Sequence, residues 1–332
     1  MKQGLPFVLY RHPNTDKVKG VFQADTKLYT SIDFTTSGFL FAPFHNASEN
    51  IVLSADECLK ADFKAISKLS YSDIVADDIG EQAHLNLVAK AIQTIKNGAL
   101  RKVIVSRCIQ VKRKVAALSV FSRALANYEN AFCYIWHHPK VGTWLGATPE
   151  QLLRIDNNQL YTTALAGTLP FQEGEQPNWT EKELEEQQMV TDFLIAQLGK
   201  DLTSIQVSKV KSVMAGQLWH LKTDISGLLR AKSSLKQIIE KIHPTSAVCG
   251  LPKEEAKTFI LNNEHYDRQF YTGFLGELNI EQKSSLYVNL RCMQVQPSGV
   301  SVYVGGGITA GSNVNDEWTE TQNKSRTMLR LL

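Results

Sequence analysis

The sequence lacks the features that define several large classes of protein. Its 332 residues contain no run of about 18 apolar residues, so we expect no transmembrane helix and no membrane partner. Charged residues follow the first methionine too closely for the apolar segment of a signal peptide. Internal repeats and low-complexity tracts are also missing, which argues against collagen-like, coiled-coil and disordered proteins. These absences indicate an ordinary globular protein.

Cysteine and excess charge are scarce as well. The five cysteines are scattered and form no CxxC pair, so the sequence predicts neither a zinc site nor a disulfide framework. Such cysteine usage is typical of a reducing cytoplasm. The 36 Lys and Arg residues oppose 33 Asp and Glu residues, and a net charge of +3 lacks the basic excess of a nucleic-acid-binding protein. We therefore expect a cytoplasmic protein without a nucleic-acid partner.

Hydrophobic patterning predicts more strands than helices. Apolar residues recur at helical spacing in 72–99, 115–128, 179–202, 234–242, 253–262 and 317–332. β-branched or alternating runs predict strands at 102–111, 132–137, 143–146, 152–155, 160–166, 205–213, 219–225, 271–277, 286–295 and 300–304, after short strands and loops in the first 75 residues. Many strands follow one another directly, unlike those of a doubly wound sheet. The expected fold is α+β, with extensive, mainly antiparallel β-sheets and helices packed outside.

Two residues stand where a proton could be transferred. Lys102 opens an apolar strand, and a lysine that burial keeps neutral can act as a general base. Glu150 follows the turn at Pro149 and precedes an apolar pair, where a carboxyl that stays protonated can act as a general acid. Each has an ordinary alternative, since a strand-end lysine usually reaches water and a loop glutamate is usually solvated.

Two predicted helices carry carboxylates three residues apart. Glu183 and Glu186 share a face of one helix, and Glu317 and Glu320 share a stripe of the last helix with Lys324. Carboxylate oxygens are the ligands that Mg²⁺ prefers, and a nearby cation suits an anionic substrate. The ordinary alternatives are a solvated first helical turn and a salt bridge between Glu320 and Lys324.

Three consecutive glycines, Gly305, Gly306 and Gly307, follow an apolar strand. Glycine allows a ligand or an anion to approach the backbone closely, whereas a bulge or a tight turn is the ordinary explanation. The run fits neither a Walker phosphate loop nor a dinucleotide-binding fingerprint. Arg291 shares a predicted strand face with Asn289, a position that suits a carboxylate-binding arginine as well as a plain sheet-surface arginine.

Taken in chain order, nine segments resemble the chorismate-utilising enzymes. The segments are KVIVSR (102–107), GATPEQLLR (146–154), TALAGT (163–168), EEQQMV (185–190), HLKTDISG (220–227), HPTSAVCGLP (243–252), EHYDRQFYTGFLG (264–276), VNLRC (288–292) and YVGGGITAGSNVNDEWTETQNK (303–324). Each motif is modest alone, but nine motifs in the family's order are specific. Because they run from about residue 83 to the last helix, we expect a single chorismate-binding domain over 1–332, of which 1–80 is the poorly matched part.

The resemblance implies a role for each candidate residue. Lys102 would be the general base that activates water for attack at C2 of chorismate, and Glu150 would protonate the departing C4 hydroxyl. Glu186 and Glu320 would be ligands of Mg²⁺. Glu183 and Glu317 would assist them. The residues implied in substrate binding are Ala166, Gly167, Thr168 and His243 along the ring, and Arg291, Tyr303, Gly305, Gly306, Gly307 and Lys324 at the carboxylates.

Two positions distinguish the activities within this resemblance. Family members that use ammonia lack a lysine at the position of Lys102, and aminodeoxychorismate synthases have a lysine at the position of Ala166. Lys102 together with Ala166 fits water as the nucleophile and therefore the conversion of chorismate to isochorismate. The alternatives are a salicylate synthase, which also eliminates pyruvate, then an anthranilate synthase-like enzyme or a non-catalytic paralogue. A menaquinone or a siderophore pathway stays open, and we expect a monomer or a weak homodimer.

Overall fold

Two large antiparallel sheets form the body of the protein. The computed structural model describes residues 4–45, 49–63, 80–171, 174, 176–215 and 218–332. Within these ranges all paired strands run antiparallel. The predicted α+β class with mainly antiparallel sheets is therefore confirmed.

The strands are numbered in chain order. Sheet A has the spatial order β15 (Gly250–Leu251), β7 (Lys102–Val111), β19 (Gly299–Ile308), β18 (Cys292–Gln296), β9 (Gly142–Thr148), β8 (Phe132–His138), β1 (Phe7–Arg11), β2 (Lys17–Phe22) and β6 (Glu57–Asp62). Sheet B has the order β12 (Leu202–Val207), β14 (Leu218–Leu229), β11 (Gln159–Pro170), β10 (Gln151–Asp156), β17 (Lys283–Val288), β16 (Phe274–Ile280), β4 (Gly38–Ala42), β5 (Ile51–Leu53) and β3 (Tyr29–Thr30), and β13 (Lys211–Ala215) pairs with β14.

An aromatic core joins the two sheets. Phe132, Tyr134 and Trp136 alternate along β8, so their side chains share one face of sheet A. They are buried together with Phe41 of β4 in sheet B, whose ring centroid lies 4.8 Å from that of Trp136. Burial of each such ring contributes on the order of 2–3 kcal/mol. This core therefore holds the sheets face to face.

The helices cover the outer faces of both sheets. In the described ranges they are α1 (Glu81–Lys96), α2 (Ala117–Asn127), α3 (Glu181–Leu198), α4 (Leu235–Ile242), α5 (Lys253–Asn263) and α6 (Val314–Leu329). Val190 of α3 and Ile238 of α4 are buried against sheet B, and Phe121 of α2 against sheet A. The predicted placement of helices outside the sheets is confirmed. None of these helices has both the length and the apolar character needed to cross a membrane.

Two predicted strands are each two strands in the structure. The segment 205–213 contains the end of β12 and the start of β13, which both pair with β14. The segment 286–295 contains the end of β17 in sheet B and most of β18 in sheet A. Arg291 between them has φ of +46°, a left-handed conformation that interrupts a strand. The predicted position of Arg291 on a strand face is therefore wrong.

Two other predictions differ in extent. The glycine run lies inside β19, which continues to Ile308, and does not follow the strand as expected. Residues 72–79 of the first predicted helix lie outside the described residues, and α1 forms from Glu81 onward.

The chain passes between the sheets at two adjacent places. Pro149 and Glu150 connect β9 of sheet A to β10 of sheet B, and 289–291 connect β17 to β18. Hydrogen bonds join the two crossings, because Ala147 N donates to Arg291 O over 3.0 Å and Val288 N donates to Glu150 O over 3.0 Å. The crossings thus bring Glu150 and Arg291 to the same part of the molecule.

Candidate active site

A cleft with about 690 Å³ of empty space lies beside the two crossings. Its wall combines apolar residues with two acidic and two basic side chains and one histidine: Glu150, Glu186, Arg291, Lys324 and His220. Such a wall suits a small anion and proton transfer.

Burial controls the protonation of Glu150. The residue is 5% exposed. Burial raises the pKa of its carboxyl to about 8, against the opposing charges of Lys102, Lys324 and Arg291. Glu150 is therefore protonated at neutral pH and can donate a proton into the cleft, as the sequence predicts for a general acid.

Lys102 is completely buried at the start of β7. Its Nζ lies 2.9 Å from Oε1 of Glu186 on α3. Burial alone would raise the pKa of Glu186, but the charges of Lys102, Lys324 and Lys182 outweigh it and the pKa is lowered. Glu186 is therefore an ionised partner for Lys102. The lysine has the burial expected of a general base, and here it is ion-paired.

Three carboxylates converge on the glycine run of β19. A Cβ on Gly307 would lie 2.5 Å from Glu186 Oε1. A Cβ on Gly306 would lie 3.3 Å from Glu317 Oε2 and 3.5 Å from Glu320 Oε1. Glycine at 307, and less strictly at 306, therefore leaves room for these carboxylates, whereas a Cβ on Gly305 would meet Val105 O at 2.8 Å.

The cluster has the properties of a site for a hard divalent cation. Burial and the adjacent charge of Glu320 raise the pKa of Glu317. The Oε2 atom of Glu317 is buried and has no hydrogen-bond partner. A cation among these oxygens would relieve the repulsion and supply the missing partner, so the donor set fits Mg²⁺.

Lysines pair with the same carboxylates in this structure. Nζ of Lys182 lies 2.8 Å from Glu317 Oε1, and Nζ of Lys324 lies 2.5 Å from Glu320 Oε1. Within the described residues, no three Asp, Glu, His or Cys side chains are already arranged around a metal position. The sequence analysis missed Lys182, although it lies one helical turn before Glu186 and thus on the same helix face.

Glu183 has a separate position. Its Oε2 accepts hydrogen bonds from the backbone N and the Oγ1 of Thr180, at 2.9 and 2.5 Å. These contacts form a capping box at the start of α3. Glu183 therefore stabilises the helix end in this structure, and its role as a metal helper stays a prediction.

A neutral histidine lies beside Arg291. His220 Nδ1 is 2.7 Å from the carbonyl oxygen of Gly167, to which it donates, and its Nε2 is 3.5 Å from Arg291 Nη2. Burial, followed by the charge of Arg291, lowers the pKa of His220 to about 3. The charge of Arg291 is thus available to an anion in the cleft. Sequence reasoning missed His220 as a site residue, although it opens the HLKTDISG motif.

Comparison with known proteins identifies the family. Residues 42–332 match the family described as chorismate binding enzyme. This chain belongs to that family. Over 261 residues it is 30% identical to isochorismate synthase MenF of Haemophilus influenzae, a match that covers 76% of this chain and 60% of the relative. It is also 30% identical to isochorismate synthase DhbC of Bacillus subtilis, over 74% of this chain and 67% of the relative.

The chain therefore spans about 60% of the length of the Haemophilus relative. A solved structure of MenF, the menaquinone-specific isochorismate synthase of Escherichia coli, resembles the chain with a TM-score of 0.80 at 22% identity. That match covers 98% of this chain and 89% of the other, and it shows that the two share the fold of the chorismate binding enzymes.

Most residues predicted to contact substrate line the cleft of this family member. They are Ala166, Gly167, Thr168, Arg291, Tyr303, Gly305, Gly306, Gly307 and Lys324. His243 does not line this cleft. It follows the last residue of α4 and lines a different cavity, where its ring packs 4.7 Å from Phe274. Because α4 packs its apolar face on sheet B, His243 lies away from this cleft, and its role along the substrate ring stays a prediction.

Proposed function

We propose that the protein converts chorismate to isochorismate in the cleft described above. The observation that carries the proposal is the combination of a protonated acid, Glu150, in the wall of a cleft that also has two cations, with a buried lysine, Lys102, whose partner Glu186 lines that cleft. Relatives named isochorismate synthase support it. The lysine at 102 and the alanine at 166 also fit water as the nucleophile.

The reaction needs one base and one acid on the substrate. Lys102, once neutral, takes a proton from water, and the oxygen of that water forms a bond to C2 of the ring. The C4–O bond breaks as Glu150 gives its proton to the departing hydroxyl, which leaves as water. The ring double bonds shift and the substrate is isomerised without net gain or loss of atoms. Because Lys102 is paired with Glu186 in this structure, this ion pair has to open before Lys102 can act.

Three glutamates would hold Mg²⁺: Glu186, Glu317 and Glu320. When bound, the ion would neutralise the ring carboxylate of the substrate. Arg291 and Lys324, which line the same cleft, supply positive charge for a dianion. Tyr303 is 5% exposed on β19 and forms part of the same wall.

A product assay tests the proposal directly. Purified protein is incubated with chorismate and Mg²⁺, and products are separated by chromatography. We expect isochorismate alone, and no turnover when EDTA replaces Mg²⁺. Salicylate with pyruvate would select a salicylate synthase, and anthranilate formed only with added ammonia would select an anthranilate synthase-like enzyme. No turnover under any condition would select a non-catalytic paralogue.

Two substitutions that remove the titratable groups test the assigned roles. Glu150→Gln and Lys102→Gln should each lower kcat by about 1000-fold, in the range measured for lost general acids and bases. Chorismate binding, measured by calorimetry, should survive. Lys211→Gln serves as the control, because Lys211 is exposed and pairs with Asp224 away from the cleft. Near-normal rates in the Glu150 or the Lys102 variant would exclude that residue as acid or base.

A further inference from the structure

Strand β7 carries Lys102, and its outer edge has little strand pairing. On one side β7 pairs with β19 from Val103 to Val111. On the other side β15 pairs only with Lys102 and Val103, and Ile104 N donates to Cys249 O over 2.8 Å. Beyond that point the backbone groups of β7 need other partners, since an unpaired buried N–H or C=O is costly.

A buried ion pair supplies those partners. Oε1 of Glu264 accepts a hydrogen bond from Ser106 N over 2.6 Å, and Nη2 of Arg268 donates to Ile104 O over 2.9 Å. Arg268 and Glu264 are 2.6 Å apart, and each side chain is 2% exposed. These two side chains therefore continue the hydrogen-bond ladder of β7 where none of the described residues forms a neighbouring strand.

The same arginine reaches two further walls of the cleft. Its Nη1 donates to Val248 O over 3.0 Å and to Thr272 Oγ1 over 3.1 Å. Ile104, Val248 and Thr272 all line the cleft, and they come from three separate segments of the chain. One guanidinium thus sets the relative positions of three parts of the wall.

Thr272 shows why such support is needed. It is completely buried and has φ of +60°, a left-handed conformation that is strained for a β-branched residue. Such a conformation persists only where its surroundings fix it. The hydrogen bond from Arg268 and a second one from Thr272 N to Asn289 O hold it in place.

We propose that Arg268, with Glu264, is a positioning residue for the reaction in the cleft. It contacts no reacting atom, and it acts by fixing β7 and the opposite wall at the distance that catalysis requires. The inference rests on the proposed function for its kinetic part. A displacement of about 1 Å in a catalytic group can cost about 100-fold in rate.

The test compares Arg268→Lys with Glu277→Gln. Arg268→Lys keeps a positive charge beside Glu264 but lacks the fork of donors that reaches three segments. Glu277→Gln removes another buried carboxylate of an ion pair, at a distance from the cleft lining. We expect Arg268→Lys to lower kcat for chorismate at least tenfold, and Glu277→Gln to leave kcat unchanged although its melting temperature also falls.

Ser106→Ala gives a milder version of the same test. It removes the 2.7 Å bond from Ser106 Oγ to Glu264 and the 2.6 Å bond between Ser106 Oγ and Tyr266 Oη, but it leaves the backbone bond intact. We expect kcat to fall about threefold while the protein stays folded. If Arg268→Lys does not fold, this variant decides alone. A kcat within 1.5-fold of wild type in Ser106→Ala, or within twofold in folded Arg268→Lys, would mean that Arg268 and Glu264 only stabilise the fold. Either result would overturn the proposal.

Hydrogen exchange separates this inference from the proposed function. Peptides covering 102–107 and 245–250 should exchange faster in Arg268→Lys than in wild type, and not in Glu277→Gln. A wild-type protein that does not convert chorismate would contradict the proposed function, and the exchange data would still test the positioning. Unchanged exchange in both peptides of Arg268→Lys would overturn the positioning role of Arg268.

Discussion

Glu150 gives the site a pH dependence that can be measured. Its protonated form is the proton donor, and burial raises its pKa to about 8. We therefore expect kcat/KM to fall about tenfold per pH unit above pH 8. Initial rates between pH 6 and pH 10 at constant ionic strength measure this. A rate that keeps rising through pH 9.5 would be incompatible with Glu150 as the acid.

The same shift predicts a stability effect of known sign. A carboxyl whose folded pKa is raised holds its proton longer in the folded than in the unfolded chain, so its contribution to stability is complete below pH 4.5 and is lost as pH rises towards 8. The stability of Glu150→Gln should therefore fall less between pH 5 and pH 8 than that of the wild type. Denaturant midpoints of the variant and the wild type over that interval measure the difference.

The roles of single residues were predictable where the local sequence determines them. Burial of Lys102 and Glu150 follows from apolar neighbours, so both were found as candidates. Lys182 and His220 were missed because their partners, Glu317 and Gly167, lie 135 and 53 residues away in sequence. Contacts of that kind depend on how the sheets pack, which no local pattern contains.

At the scale of elements, strand β19 carries the glycine run beside which three carboxylates lie. Gly307→Ala would place a Cβ 2.5 Å from Glu186 Oε1. The carboxylate is the end of a flexible side chain, so the fold should tolerate the change while Glu186 moves away from its position. We expect a fall in kcat/KM of about 100-fold, since small displacements of catalytic groups are costly, together with a higher Mg²⁺ requirement.

Gly311→Ala is the matched control for that experiment. A Cβ at Gly311 meets nothing within 4 Å. The variant should therefore keep both the rate and the Mg²⁺ requirement of the wild type. Equal kinetics for the two alanine variants would mean that the glycine run has no part in holding the carboxylates.

Element boundaries were predictable where one kind of pattern is uninterrupted. The β-branched run 102–111 predicts β7 with its observed ends. The run 286–295 is equally apolar, but it turns at Arg291 with φ of +46° and no glycine marks the turn. The change from sheet B to sheet A at this point is a tertiary event, and it creates the corner on which the cleft depends.

At the scale of the whole molecule, a buried carboxylate links the N-terminal strands to the opposite sheet. Glu277 of β16 in sheet B accepts a hydrogen bond from Tyr10 of β1 and pairs with Lys19 of β2, both over 2.6 Å. Nε2 of His12 lies 3.2 Å from Oε2 of Glu277. Tyr10 and Lys19 lie outside the part of the chain that matches the family model, residues 42–332. The resemblance in the sequence therefore gave no account of this connection.

Glu277→Gln tests how much this connection contributes. Burial alone would raise the pKa of Glu277, but hydrogen bonds and charge from His12, Lys19 and Tyr10 lower it to about 2. A lowered folded pKa contributes stability above the unfolded pKa near 4.5, and this is lost as pH falls towards 2. We expect the variant to lose about 2 kcal/mol at pH 7 and much less at pH 3, by urea unfolding. Asp224→Asn weakens two exposed pairs, with Lys211 and Lys222, and should cost under about 1 kcal/mol. An equal loss in both variants would mean that Glu277 does not fasten the sheets together.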